Sequence, residues 1–128
     1  MVIDTSALVA ILQDEPERGA FNEAIEAADR RSMSVVSFVE ASMILETRFG
    51  PDGVRALDLV IAKAGIELVP VDAEQAHAAR IAFRAYGKRR HPAGLNFGDC
   101  FAYALARTLG EPLLFKGSDF SLTDVDVS

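Results

Sequence analysis

The chain has 128 residues, half of them hydrophobic and a quarter charged, which suits one globular domain with a buried core. Its net charge of −6 is unlike that of a general nucleic-acid binder, and its single cysteine excludes a disulfide framework or a multi-cysteine metal site. Because no signal peptide precedes the first apolar residues and no apolar run could cross a membrane, we expect one cytoplasmic domain over residues 1–128.

Segments typical of strands and helices alternate along the chain. The predicted strands are residues 1–4, 32–36, 66–71 and 112–116, with a short fifth strand over 124–127. The predicted helices are residues 7–13, 16–29, 37–49, 54–64, 73–87 and 98–109, the first capped by Thr5 or Ser6 and the third by Ser37. Apolar strands that alternate with helices predict an α/β fold in which helices cover both faces of a parallel sheet.

Four carboxylates are predicted to lie at one edge of this sheet. Asp4 ends the first strand, Asp119 follows the fourth, and Asp99 lies in the first turn of the helix that leads into the fourth. Strand carboxyl ends and helix N-termini share an edge in such a sheet. Glu40 lies one turn into the helix after the second strand, with apolar helical neighbours, so it should be partly buried.

Clustered carboxylates raise each other's pKa values, and a hard divalent cation such as Mg²⁺ relieves their repulsion. Such a cation can activate water, which favours phosphodiester hydrolysis. Each acid also has a simpler interpretation, because Asp4 could cap a helix and Asp119 could form a turn. Asp99 could form a capping box with Asn96, and Glu40 could pair with an arginine. The joint placement of all four favours the metal site.

Other chemistry has little support in the sequence. His77 and His91 lack the spacing of a metal site, and Cys100 lies in an apolar helix, where a core position is the better interpretation. There is no nucleophile elbow and no glycine-rich phosphate loop. A basic segment without acids spans residues 80–91 and contains Arg80, Arg84, Lys88, Arg89 and Arg90. A solvated helix end would explain it, because cations suit a helix C-terminus.

Four segments resemble the motifs of PIN domains, especially VapC-type toxins, in family order and with family spacing. They are VIDTSAL at residues 2–8, the segment from Ser37 to Glu40, LNFGDCFAYALA at 95–106 and PLLFKGSDF at 112–120. The resemblance implies a three-layer α/β/α sandwich with a mostly parallel, roughly five-stranded sheet. It also implies endoribonuclease activity that depends on Mg²⁺ or Mn²⁺.

The resemblance assigns a role to each acid. Asp4 and Asp99 would be the principal metal ligands. Glu40 would bind the metal directly or through water and orient the attacking water, and Asp119 would complete the cluster.

Ser6 would add a hydroxyl near the metal. The family often has Asn before the final Asp, where this chain has Ser118, whose hydroxyl can still hydrogen-bond a carboxylate or a water.

The family also implies partners. Its toxins usually form homodimers, alone or within a heterotetramer or larger complex with an antitoxin. The antitoxin's C-terminal segment covers the cleft, often with an arginine among the acids, and its other end binds operator DNA. The basic segment would then hold RNA phosphates beside an acidic site that otherwise repels them.

Three other functions are weighed against this one. A PIN-like scaffold that only binds RNA or protein would not need a buried Glu40. A receiver-type signalling module would need paired acids at the first strand and does not account for Asp99. A PIN nuclease that cuts DNA would need additional helices, for which this chain is too short.

Overall fold

The computed structural model describes all 128 residues and contains one four-stranded parallel sheet. The strands are β1 (Val2–Ile3), β2 (Ser32–Ser34), β3 (Glu67–Val69) and β4 (Leu113–Leu114), in the order β3-β2-β1-β4. The helices are α1 (Thr5–Leu12), α2 (Arg18–Ala27), α3 (Val35–Phe49), α4 (Pro51–Ala64), α5 (Ala73–Tyr86) and α6 (Phe97–Leu109), and a short 3₁₀ helix spans Phe120–Leu122. None of the helices combines the length and hydrophobicity that crossing a bilayer requires.

Two hydrophobic cores lie on opposite faces of the sheet. Successive strand residues point to opposite faces, so Val2 and Leu113 pack against α5 and α6, whereas Ile3 and Leu114 pack against α1, α3 and α4. This arrangement confirms the predicted three-layer α/β/α fold.

The predicted fifth strand is wrong. Residues 124–127 contribute only an isolated parallel bridge between Val127 and Leu113. The chain after β4 first forms the 3₁₀ helix, and the Tyr103 hydroxyl of α6 then donates a hydrogen bond to Asp124. The chain therefore reaches the edge of β4 only at its last residues, and the sheet has four strands.

The two helices that follow directly after a strand, α1 and α3, each begin two residues earlier than predicted. Asp4 caps α1 in place of Thr5 or Ser6, and Ser34 caps α3 in place of Ser37 by accepting a hydrogen bond from the Val36 amide (3.2 Å). With no loop between strand and helix, the side chains at each junction are held by both elements. These junctions carry Asp4 and, one turn further along α3, Glu40.

Candidate active site

Asp4 is the most buried of the four acids, with 3% of its surface exposed. Its Oδ2 accepts hydrogen bonds from the Ser6 amide (3.0 Å) and the Ser6 hydroxyl (2.6 Å), so Asp4 is a helix cap. Its Oδ1 is buried and has no hydrogen-bond partner. Burial raises the pKa of Asp4, and the bonds from Ser6 oppose that rise. The cap uses one carboxylate oxygen and leaves the other free.

Ser6 connects this cap to the end of β4. Its hydroxyl donates to Asp4 and accepts a hydrogen bond from the backbone amide of Lys116 (2.9 Å). The two bonds fix the position of the hydroxyl between α1 and β4. The predicted position of Ser6 beside the acids is therefore what the structure has.

Asp99 lies at the start of α6 in a capping box with Asn96. The Asp99 amide donates to Asn96 Oδ1 (2.9 Å), and the Asn96 amide donates to Asp99 Oδ2 (3.1 Å). The pKa of Asp99 is raised to about 7, because burial and the charges of Asp4, Glu40 and Asp119 together outweigh the lowering by the bond from the Asn96 amide. Asp99 is thus a capping residue that also lies within electrostatic reach of the other three acids.

Glu40 is half-buried on α3, and its carboxylate packs against the backbone of α6 at Gly98. A Cβ atom at position 98 would lie 2.5 and 2.7 Å from the two Glu40 oxygens, so only glycine leaves room for them. Glu40 forms no salt bridge with an arginine. Its helix, α3, is connected to α1 by a hydrogen bond that the Thr5 hydroxyl donates to the Ser37 carbonyl (3.0 Å). Gly98 was not predicted as a site residue, although a glycine beside Asp99 in the first turn of a helix is a signal for close approach.

Asp119 and Ser118 lie on an exposed turn after β4. Asp119 is close enough to act electrostatically on Asp99, but the side chain of Ser118 makes no hydrogen bond. The turn is anchored by Phe120, which packs edge-on against Phe115 with 5.0 Å between ring centroids. The structure therefore brings Asp119 to the cluster more loosely than the other three acids.

The donor set is one that a hard divalent cation accepts, because it consists of carboxylate oxygens and includes the buried, unpartnered Oδ1 of Asp4. No three acids approach closely enough to form a complete set of protein ligands. Mg²⁺ ordinarily keeps several waters and uses one or two carboxylates, so a complete protein set is unnecessary. Asp4 and Asp99 could hold such an ion.

An apolar groove of about 620 Å³ borders the acids and is lined by Glu40 and Gly98 together with side chains of α3 and Phe97. Met43 and Phe97, both in this lining, are 63% and 74% exposed. A second groove of about 390 Å³ continues past Phe97 and is lined by Phe83 and Arg80. The acidic edge is thus flanked by an unusually apolar surface.

The cations of the basic segment are exposed and have no acidic partner. None of its five cations, Arg80, Arg84, Lys88, Arg89 and Arg90, forms a salt bridge. The guanidinium of Arg90 lies over the ring of Phe83 (5.2 Å). Backbone hydrogen bonds from Lys88 to Leu95 (2.9 Å) and from Leu95 to Tyr86 (2.9 Å) close the loop that joins this segment to α6.

Cys100 is buried, and burial together with Asp99 raises the pKa of its thiol to about 11. His91 uses Nδ1 to accept a hydrogen bond from the Ala93 amide (3.0 Å) within its own loop. The Cys100 thiol therefore stays protonated in the core at neutral pH, and the His91 ring is held within its own loop.

Comparison with known proteins agrees with this geometry. The family model of the PIN domain matches residues 1–126. Ribonuclease VapC30 of Mycobacterium tuberculosis is 57% identical over 125 residues, covering 98% of this chain and 95% of that protein.

Two solved structures share the fold. The first is VapC20 of Mycobacterium tuberculosis, a toxin that cleaves the sarcin–ricin loop, with a TM-score of 0.78, 18% identity and coverage of 97% of this chain and 95% of that one. The second is a toxin–antitoxin complex from Klebsiella pneumoniae, with a TM-score of 0.74, 15% identity and coverage of 99% and 95%. The chain belongs to the PIN-domain family and, within it, to the group of VapC ribonucleases.

Proposed function

We propose that this chain is an endoribonuclease that depends on a divalent cation and acts as the toxin of a toxin–antitoxin pair. The observation that carries the proposal is the set of acids at the sheet edge, where Asp99 lies within electrostatic reach of Asp4, Glu40 and Asp119 and one oxygen of Asp4 has no partner. The 57% identity to a protein named as a ribonuclease supports RNA as the substrate. We assign the activity to one PIN domain over residues 1–128, supported by the family match over 1–126.

The four acids have different roles in the proposed reaction. Asp4 and Asp99 hold the cation, which we propose to be Mg²⁺, with Mn²⁺ as a substitute. Glu40 binds through water and orients the attacking water, because its carboxylate is held against Gly98 beside both ligands. Asp119 adds charge from the exposed side. When bound, the cation would lower the pKa of a coordinated water and stabilise charge on the phosphoryl oxygens.

The two serines support the acids to different degrees. Ser6 positions Asp4 through its hydrogen bond to Oδ2 and thereby leaves Oδ1 free for the cation. The Ser118 side chain makes no hydrogen bond, so its contribution is limited to a hydroxyl near Asp119 that can bind water.

The basic segment supplies the phosphate contacts that the acidic edge lacks. Its exposed, unpaired cations release counterions when they meet phosphates, so they strengthen RNA binding in a salt-dependent way. Replacing Arg84, Lys88, Arg89 and Arg90 with Gln is expected to weaken RNA binding and flatten its dependence on salt. An unchanged salt slope would remove the basic segment from the proposal and leave the acidic site intact.

The cognate antitoxin would cover the cleft. A peptide that carries a cation between apolar side chains is complementary both to the acids and to the adjoining groove along Val39, Met43 and Phe97. The shared fold with the toxin component of a toxin–antitoxin complex supports such a partner. DNA would be contacted only through the antitoxin.

We further propose that the chain acts in the cytoplasm as a homodimer. Exposed apolar side chains outside the antitoxin groove, such as Ile81, are the surface that such a dimer would cover. Sedimentation of the antitoxin-free chain is expected to give the mass of a dimer, and a monomer at every concentration would contradict this assignment.

A scaffold that only binds RNA is the weaker alternative. It would have no use for a buried carboxylate oxygen without a partner or for Glu40 held against a glycine, because both are costly for binding alone. The metal dependence of cleavage separates the two functions directly.

The experiment is to incubate antitoxin-free protein with total cellular RNA in Mg²⁺, in Mn²⁺ and in EDTA. Asp4→Asn/Asp99→Asn is compared with the control Asp29→Asn/Asp58→Asn, which removes the same charge from exposed positions. We expect discrete fragments that require metal, disappear in the first variant and persist in the control. Folded protein that cuts no RNA in either metal would favour the scaffold instead.

A further inference from the structure

Lys116 lies shortly after β4, and its backbone is connected to the acidic edge through Ser6. Its backbone amide donates to the Ser6 hydroxyl, and that hydroxyl donates to Asp4. Two consecutive hydrogen bonds therefore separate the backbone of Lys116 from the carboxylate that we assign to the metal. The position of the Lys116 backbone is fixed with respect to the site, whereas its four-carbon side chain can move.

The ammonium of Lys116 is paired with acids outside the cluster. Its Nζ lies 2.5 Å from Glu15 and 3.5 Å from Glu17, which belong to the segment between α1 and α2. The pKa of Lys116 is raised by its hydrogen bond to Glu15 and by the charges of both glutamates, so it is fully charged at neutral pH. The structure thus has a cation beside an anionic site, held by two carboxylates that take no part in that site.

We propose, on the basis of the proposed nuclease function, that Lys116 is a substrate-binding residue that leaves Glu15 and Glu17 to contact an RNA phosphate beside the scissile bond. A phosphate entering the acidic edge brings negative charge close to the Lys116 backbone, and the side chain can reach it by rotation about its own bonds. The contact would offset part of the repulsion between the RNA and the four acids.

Moving Lys116 from the glutamates to a phosphate costs little free energy, because the ion pairs are partly exposed. The side chains of Lys116, Glu15 and Glu17 are 38%, 29% and 33% exposed, and such pairs are weak and screened by salt. When Lys116 leaves, water can solvate Glu15 and Glu17, so neither glutamate is left as a buried, unpaired charge. The two glutamates therefore compete with RNA for the same cation.

Because of this competition, two substitutions are expected to change the RNA affinity in opposite directions. Lys116→Gln removes the phosphate contact and is expected to weaken RNA binding roughly three- to tenfold and to lower the salt slope by about one. Glu15→Gln/Glu17→Gln releases Lys116 and is expected to tighten binding. If the three residues only stabilised the segment between α1 and α2, both substitutions would change the RNA affinity in the same direction.

Binding is measured by fluorescence anisotropy with a labelled single-stranded oligoribonucleotide of mixed sequence, because phosphate contacts do not depend on sequence. Ca²⁺ replaces Mg²⁺, and a gel checks that the RNA stays intact. Glu23→Gln/Glu26→Gln is the matched control, since it removes two exposed, unpaired acids from α2 without touching Lys116. Lys116→Arg should restore the salt slope.

The proposal is supported if Glu15→Gln/Glu17→Gln binds RNA more tightly than the control and if this gain disappears when Lys116→Gln is added. It is overturned if Lys116→Gln binds with the wild-type salt slope, or if the glutamate variant weakens binding as Lys116→Gln does. Thermal unfolding of each variant identifies any that fail to fold. Failure of the nuclease function is seen separately, as wild-type protein that leaves RNA uncut in Mg²⁺.

Discussion

The acidic edge contains two kinds of acid that differ in how the fold holds them. Asp4, Glu40 and Asp99 lie on regular elements and are at least half-buried, and each is held by a hydrogen bond or by a close contact with α6. Asp119 lies on an exposed turn beside Ser118, which has no hydrogen-bond partner for its side chain.

The difference indicates how this fold would prepare the proposed metal site. Three carboxylates are kept together in spite of their repulsion because helix caps and a glycine contact hold them, and burial then raises the pKa values of Asp4 and Asp99. The exposed acid contributes charge without being fixed. We therefore expect catalysis to depend steeply on the held acids and weakly on the turn.

The largest effect is expected for Asp99→Asn. Loss of a metal ligand should lower the rate of RNA cleavage by roughly a hundredfold or more, because even residues that only support a ligand commonly cost ten- to a hundredfold. Asparagine can still accept the hydrogen bond from Asn96, so the metal-free variant should unfold at the wild-type temperature or above it. Initial rates and thermal unfolding measure the two effects, and Asp58→Asn serves as the control.

Gly98→Ala is expected to cost about tenfold or more in activity, because the new Cβ would displace the Glu40 carboxylate from its place on α6. The free energy of unfolding should change by less than about 1 kcal/mol, because the Glu40 carboxylate ends a flexible side chain that can rotate away and alanine favours the helix. Gly19→Ala in α2 is the matched control, since no atom lies within 4 Å of its added Cβ. Wild-type activity in Gly98→Ala would show that the position of Glu40 does not matter.

The pH dependence of metal binding tests the held acids without mutation. The pKa of Asp99 is raised from 3.8 to about 7, so a proton must leave before a cation binds, and affinity should fall up to about tenfold per pH unit below that value. The stability of the metal-free protein depends on pH in the opposite direction to the metal affinity. Between about pH 4 and pH 7 the unfolded chain releases this proton first, so stability should fall as pH rises.

Titrations with Mn²⁺ and denaturant unfolding across this range measure both trends. Asp99→Asn should lose the pH dependence of stability that this proton causes. A metal affinity that does not change with pH in the wild type would show that Asp99 ionises normally or does not bind the metal.

The smallest effects are expected at the exposed turn. Asp119→Asn should lower the cleavage rate by only a few-fold to about tenfold, because it removes charge without removing a fixed ligand. Ser118→Ala should change the rate less than twofold. If Asp119→Asn were as damaging as Asp99→Asn, the turn would have to close on the site when RNA and metal bind, and the comparison of held and exposed acids would fail.

The fold and the positions of the acids follow from local patterns in the sequence. Asp4 ends an apolar strand and Asp99 begins an apolar helix, and parallel topology places both at one edge. The capping interpretations of these two residues were not alternatives to a site, because each carboxylate has two oxygens and the cap uses one.

What could not be predicted depends on contacts between distant segments. The role of Gly98 appears only once α3 is packed against α6, and the pairing of Lys116 with Glu15 joins residues 101 positions apart. The fifth strand was predicted wrongly because the pattern of residues 124–127 does not reveal that the Tyr103 hydroxyl of α6 binds Asp124.

Calorimetric titration of the antitoxin-free chain with Mn²⁺ tests the central claim most directly, with Asp4→Asn and Asp119→Asn measured alongside. We expect the wild type and Asp119→Asn to bind the cation at neutral pH and Asp4→Asn to lose that binding, because the unpartnered oxygen of Asp4 is the donor that the fold leaves free. Binding by Asp4→Asn with wild-type affinity would contradict the assignment of the metal to the held acids.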